Sequence, residues 1–266
     1  MLVVAERINS SRKSIYQAIE EKNEAFIQQE AIDQTKAGAH YIDVNAGLFL
    51  SREADSLAWL IDTVQAVTTL PLCIDSANPQ VIRQVLPLVE ATPLINSITL
   101  EKKRYHAILP LLLERPTRVI ALCQGDGSAA HSDTEKVDMA EELIARLSAA
   151  GVSRETIHID PLVFPLATDS GSATATLAAM KTIKDRFPDV HLICGLTNVS
   201  FGLPHRKLIN RSFLTIAMAM GLDSAIIDPT DTRLMAALKA GMLINNKDPF
   251  SQKYLEAFRN GLLESA

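Results

Sequence analysis

The stretch from Pro71 to Pro79, Pro-Leu-Cys-Ile-Asp-Ser-Ala-Asn-Pro, contains the unit from which the whole chain is built. A short apolar run ends in a carboxylate, Asp75. Asn78-Pro79 then starts a helix, with proline in the first turn, where its missing N–H costs nothing. Moving outward, the same unit recurs. Successive β-rich runs end at Glu6 and Asn9, Asp43 and Asn45, Asp75, Asn96, Gln124, Asp160, Asn198 and Asp228. The spacing is roughly 30 residues, one strand–helix step. This predicts a single-domain (β/α)8 barrel, a TIM barrel over residues 1–266, with its site at the C-terminal strand ends. An open, doubly wound sheet is the competing architecture, but the Gly-rich phosphate turn it needs after the first strand is missing. Strand ends rich in acids and amides and poor in bases suit a neutral heterocycle that donates and accepts hydrogen bonds.

The bulk properties narrow the function. With 266 residues, 47% hydrophobic and 21% charged, the chain can bury a large core. A net charge of −5 argues against a nucleic-acid binder, and 5% aromatic residues argue against a base-stacking platform. The three cysteines, Cys73, Cys123 and Cys194, form no disulfide framework. The opening MLVVAERIN reads as a strand, not a signal peptide, and no apolar run reaches membrane-spanning length, so the expectation is a cytoplasmic protein without a membrane segment.

Along the chain, one helix is predicted over Lys13–Lys36, with Ile15, Ala18, Ile19, Phe26 and Ile27 as its apolar stripe. The Gly-rich loop 124–132 is expected to be mobile, and Asp133 is the candidate cap of the helix that follows. The seventh strand is placed at His191–Leu196. A loop over 201–207, holding His205 and Arg206, is expected to precede a helix over Asn210–Met220.

A carboxylate accepts two N–H bonds, and an amide offers both a donor and an acceptor, so Asp75, Asn96, Asp160 and Asn198 would suit a pterin edge. The ordered segments Glu6-Arg-Ile-Asn, Ile42-Asp-Val-Asn-Ala-Gly, Cys73-Ile-Asp-Ser, Ile95-Asn-Ser, Ile159-Asp-Pro-Leu, Gly195-Leu-Thr-Asn-Val-Ser and Leu208-Ile-Asn-Arg-Ser resemble the methyltetrahydrofolate:corrinoid-protein methyltransferases. The resemblance runs from Met1 to about Asp228. It implies that Asp75, Asn96 and Asp160 hold the pyrimidine edge of tetrahydrofolate. It also implies that Asn198 sits at N5, where a side-chain amide stabilises charge as the N–C bond changes. The implied substrates are tetrahydrofolate or methyltetrahydrofolate and the cobamide of a partner corrinoid protein. The enzyme is expected to have no metal of its own and to form a homodimer.

Glu6, Asn9, Asp43, Asn45 and Ser97 are candidates for support of the pocket, and Arg206 for contact with the folate's glutamate tail or benzoyl carbonyl. Asp228 reads as a cap or an internal pair, and Gln124 has no assigned task. The chain departs from the best-known members of the family at Phe201-Gly-Leu-Pro-His205-Arg206 and in the loop with Asp126 and His131. This favours a corrinoid partner from a methylated-compound demethylation system, with methyl moving toward tetrahydrofolate, over acetyl-CoA-pathway chemistry in the reverse direction.

Three rival readings remain. Cys73 and Cys194 share strand parity with Asp75 and Asn198 but lie deeper in the barrel, and no zinc-ligand spacing accompanies them. His40, His158 and His191 begin strands at the opposite end; only His131 and His205 fall in mouth-side loops. A dihydropteroate-synthase-like condensation would need basic residues clustered at the mouth, where little beyond Arg206 and Lys207 is expected. A non-catalytic pterin-binding module would bind folate without turnover.

Overall fold

The computed structural model describes residues 1–263. Eight parallel strands form one sheet: β1 Leu2–Asn9, β2 Tyr41–Asn45, β3 Leu72–Asp75, β4 Leu94–Ile98, β5 Arg118–Leu122, β6 Ile157–Asp160, β7 His191–Leu192 and β8 Ser224–Ile227. β8 pairs with β1. The remaining gap closes where Gly195 bridges to Ile226 and the Ile226 N–H donates to the Cys194 carbonyl at 3.0 Å. The sheet is therefore a closed barrel, and the open doubly wound alternative is excluded.

Helices cover the outside: α1 Lys13–Glu20, α2 Glu24–Lys36, α3 Glu53–Gln65, α4 Pro79–Val85, α5 Lys102–Glu114, α6 Asp133–Ala149, α7 Ser172–Arg186, α8 Arg206–Ala219, α9 Thr232–Ile244 and α10 Gln252–Arg259. Their starts follow local chemistry. Asn78 caps α4 through the Gln80 N–H, with Pro79 in the first turn, and Asp231 caps α9 through the Leu234 N–H.

Several boundaries differ from expectation. The predicted first helix is two, because Lys22 turns to φ 53° and the Asn23 side chain caps a new start at the Phe26 N–H. Ser132, not Asp133, caps α6, in a reciprocal capping box with Glu135. Within the loop expected to be mobile, Gln124–Gly125 pairs antiparallel with Ser128–Ala129 as a small hairpin. β7 stops at Leu192, and Leu196–Ser200 is a 3-10 turn. α8 starts at Arg206, four residues earlier than predicted, with His205 in a left-handed conformation before it.

Side chains inside the barrel are layered. A dry middle layer contains Val4, Tyr41, Cys73, Leu94, Ile120 and Ile193. Cys194 instead packs in the layer between strands and helices, so the parity argument fails for it. The cause is the 3-10 turn Leu196–Ser200, which carries Asn198 out of the alternation that Leu192, Ile193 and Cys194 still follow.

Candidate active site

Register builds the site. Asn9 is level with Asn45, Asn45 with Asp75, and Asp75 with Asn96 across four adjacent strands. Residues level in parallel strands face the same side, so this row forms one rim. β1 carries an irregularity between Ala5 and Ile8. This lets Glu6 and Asn9 both line the mouth although they stand three apart, which strict alternation would forbid.

The mouth encloses a cavity of about 680 Å³. Of the candidate residues, Asp75, Asn96, Asn198, Glu6, Asn9, Asp43, Asp228 and Arg206 line it. Asp160, Asn45 and Ser97 do not. Asp160 is buried behind the wall, accepting from the Leu162 N–H at 2.8 Å and from the Gly195 backbone. Asn45 stands behind Asp75, donating to Asp75 Oδ2 at 2.9 Å, while its own oxygen accepts from Gly47 and Ser10. Ser97 is buried and contributes its carbonyl to Arg104.

Burial dominates the electrostatics. It raises Glu6 to about 7, with Arg12 opposing the shift and Asp228 adding to it. It raises Asp160 to about 6. Asp43 is pushed well above the carboxylate range, first by burial and then by the charge of Asp75. Asp75 is raised as well, with Asn45 and Arg104 holding it down. The floor thus sets two carboxyls that burial biases toward the protonated form, Asp43 and Asp75, beside the amide of Asn96.

Among the described residues, three buried side-chain atoms have no hydrogen-bond partner: Asp43 Oδ1, Asn210 Oδ1 and Arg211 Nε. The first two belong to residues lining this cavity. Buried polar atoms are normally satisfied, so unpaired ones beside a concave surface leave hydrogen-bonding capacity for water or a polar ligand to meet.

Asn198 lies in the 3-10 turn and is exposed to the cavity. Gly195 makes that possible, since a Cβ there would lie 3.2 Å from Asn198 Nδ2. Arg206 braces the turn, donating to the Thr197 carbonyl at 2.8 Å and to Ser200 Oγ at 3.1 Å. Thr197 Oγ1 donates to Glu6 at 3.4 Å. Asp228 both pairs with Arg7 at 3.1 Å and caps its own turn through Thr230.

Sequence reasoning missed two braces. Arg104, on α5, donates to the carbonyls of Ser97, Ala77 and Ser76, clamping the loop after β3 to the end of β4. Nothing in Lys102-Lys-Arg104 distinguishes it from a solvated charge run. Lys136 is fully buried, and its ammonium donates to the carbonyls of Ala130, Pro161 and Leu162, joining the loops after β5 and β6. Its signal was present, because Lys136 stands on the same stripe as Ala140, Leu143 and Leu147.

The expectation of a base-poor mouth needs correction. Arg12 joins Arg206 and Lys207 in the cavity wall, although Arg12 lies 3.6 Å from Glu6 and 3.9 Å from Asp228. His131 turns away, stacking on Phe164 at 4.5 Å between ring centres. Gln124 is occupied by Glu101. Among the described residues, no three His, Cys, Asp or Glu side chains gather as a metal site, and no helix is long and apolar enough to cross a membrane.

Comparison with known proteins agrees with this geometry. Residues 5–228 match the family model described as pterin binding enzyme. The chain is 38% identical over 263 residues to a methylcorrinoid:tetrahydrofolate methyltransferase of Eubacterium limosum, covering 98% of this chain and 97% of that one. It is 32% identical over 242 residues to a methionine synthase of Mycobacterium tuberculosis, covering 85% of this chain and 20% of that one. Among solved structures, a dihydropteroate synthase of Xanthomonas albilineans superimposes with a TM-score of 0.71 at 19% identity, over 94% of this chain and 93% of the other, which shows a shared fold. The chain belongs to the pterin-binding enzymes and stands with their methyltransferases.

Proposed function

We propose that this enzyme moves a methyl group from the cobamide of a separate corrinoid protein to N5 of tetrahydrofolate, in a pathway that demethylates methylated compounds. The observation that carries the reading is the end-to-end match to a relative named for that reaction. The cavity supports it chemically. Asp75 can accept the paired N–H groups of the pterin's pyrimidine edge, and Asn96 beside it offers a donor and an acceptor. Asp160 backs this wall through the Leu162 and Gly195 backbone rather than standing in it.

In the reaction the N5 lone pair forms the N–C bond. The Co–C bond breaks with its electron pair left on cobalt, and the N5 proton passes to solvent at the open mouth. Asn198, exposed at the mouth on a braced turn, is the residue assigned in this reading to hydrogen-bond N5 as its charge changes. A non-catalytic binding module would hold the pterin equally well. The reading further takes the enzyme to be a cytoplasmic homodimer.

The test is spectroscopic. Mixing the protein with tetrahydrofolate and methylcobalamin should produce cob(I)alamin absorbance and methyltetrahydrofolate in equal amounts. Folate binding without any transfer, from methylcobalamin or from a methylated corrinoid protein, would leave only the binding-module reading.

A further inference from the structure

Beside the mouth, at the start of α8, lies a second concavity of about 340 Å³ lined by His205, Arg206, Lys207, Leu208, Arg211 and Arg233. Four of these six are lysine or arginine and none is acidic, in a chain where Asp and Glu outnumber Lys and Arg 31 to 26. It shares Arg206 and Lys207 with the mouth cavity, so the two concavities adjoin at these side chains. Asp231 approaches from the α9 cap, 3.6 Å from Lys207 and 3.4 Å from Arg211, and so answers two cations with one carboxylate. Arg211 Nε is buried with no hydrogen-bond partner, a donor left over after the internal pairing. The N-terminal end of a 14-residue helix adds its own preference for anions.

The pterin ring, with its pyrimidine edge on Asp75 and Asn96 and N5 at Asn198, must send its aminobenzoyl-glutamate arm out of the barrel. The wall beyond Asn198 is formed by Arg206 and Lys207, which lead into the basic concavity. We propose that this pocket binds the carboxylates of a γ-linked polyglutamate tail on tetrahydrofolate. The inference rests on the proposed function for the identity of the folate. A polyglutamate matches the pocket in sign and in its spaced, repeated carboxylates, and arginine forks pair with carboxylates in bidentate fashion. Because the pairs are solvent-accessible, each contributes modestly and the sum is salt-sensitive.

The experiment compares the affinity of tetrahydrofolate monoglutamate with that of the triglutamate, by titration calorimetry at low and high salt. Wild-type protein should bind the triglutamate roughly tenfold tighter, with the advantage shrinking as salt rises. Lys207→Glu combined with Arg233→Glu should reduce the ratio to near one, with thermal melting as the control for folding. Arg206 is left intact because it braces the Asn198 turn. Equal binding of both forms by the wild type would overturn the tail pocket and leave the methyltransferase reading standing. Binding of neither form would overturn both. A double variant that keeps the triglutamate preference but loses transfer from a corrinoid protein, and not from free methylcobalamin, would also overturn it, by assigning the patch to the partner.

Discussion

The two ends of the barrel are both polar and behave in opposite ways. At the N-terminal end, Arg118 donates to His158 Nε2 at 3.3 Å, and a guanidinium has only donors. His158 therefore carries its proton on Nδ1 and donates to Ser224 Oγ at 3.1 Å, which in turn donates to Asp223. His191 stacks on His158 and, like Lys184, approaches Asp223. Burial lowers His158 to about 3, so it stays neutral. Burial alone would raise Asp223, but His191 and Lys184 outweigh it and bring it to about 2. At the mouth, burial prevails: Glu6, Asp43, Asp75 and Asp160 are all raised, and Asp43 and Asn210 leave acceptors unpaired. A polar layer that completes its own network contributes stability. One left incomplete on a concave face stores unmet hydrogen-bonding capacity for a ligand.

The largest effect that separates the two ends is expected from Asn198→Ala. The side chain is exposed, so the melting temperature should hold within a degree or two. The methyl-transfer rate should fall roughly 10²- to 10³-fold, about 3–4 kcal/mol of barrier, the scale of a lost donor at a developing charge. A variant that transfers methyl at the wild-type rate would remove Asn198 from the chemistry.

Glu6→Gln should have the opposite sign in stability. Unfolded glutamate ionises near 4.3, whereas folded Glu6 keeps its proton to about 7. The stability this contributes is complete below pH 4 and is lost as pH rises through 7, where a half-buried anion must form. The neutral amide avoids that loss, so the variant should exceed wild type by about 2–3 kcal/mol at pH 8 and match it at pH 4. Denaturant midpoints at the two pH values decide it. An equal difference at both would show that Glu6 ionises normally.

How much of this was legible beforehand differs between the two ends. The mouth could be read because strand ends repeat: a polar residue closing an apolar run needs no tertiary information. Asn45, Asp75 and Asn96 fall level across β2, β3 and β4. Contacts far apart in sequence were not legible. Arg104 reaches carbonyls in the loop after β3 and at the end of β4, and Asp160 bonds the distant Gly195 backbone, besides nearby Leu162, instead of standing in the wall. Asn210 belonged to a segment whose resemblance was evident, yet its place in the cavity depends on α8 starting at Arg206. At the other end, His158 and His191 were rightly placed away from the mouth, but their stacking spans two strands and cannot be read from either.

Asp223→Asn sharpens the comparison from the closed end, with the smallest effect. Folded Asp223 titrates near 2 and unfolded aspartate near 3.9, so its stabilisation is present above pH 4 and is lost as pH falls toward 2. The side chain is 31% exposed, and solvent screening brings the expected cost at pH 7 to about 1–2 kcal/mol. The asparagine oxygen can still accept from the Leu192 N–H, so the β7–β8 seam should survive and the loss should come from His191 and Lys184 alone. Methyl transfer and folate affinity should be unchanged, because a dry layer of Val4, Tyr41, Cys73, Leu94, Ile120 and Ile193 separates this network from the mouth. Urea midpoints at pH 7 and pH 3, measured with folate affinity on the same protein, test both halves. A change in folate affinity would mean that the middle layer transmits between the ends, and that the closed network tunes the open one.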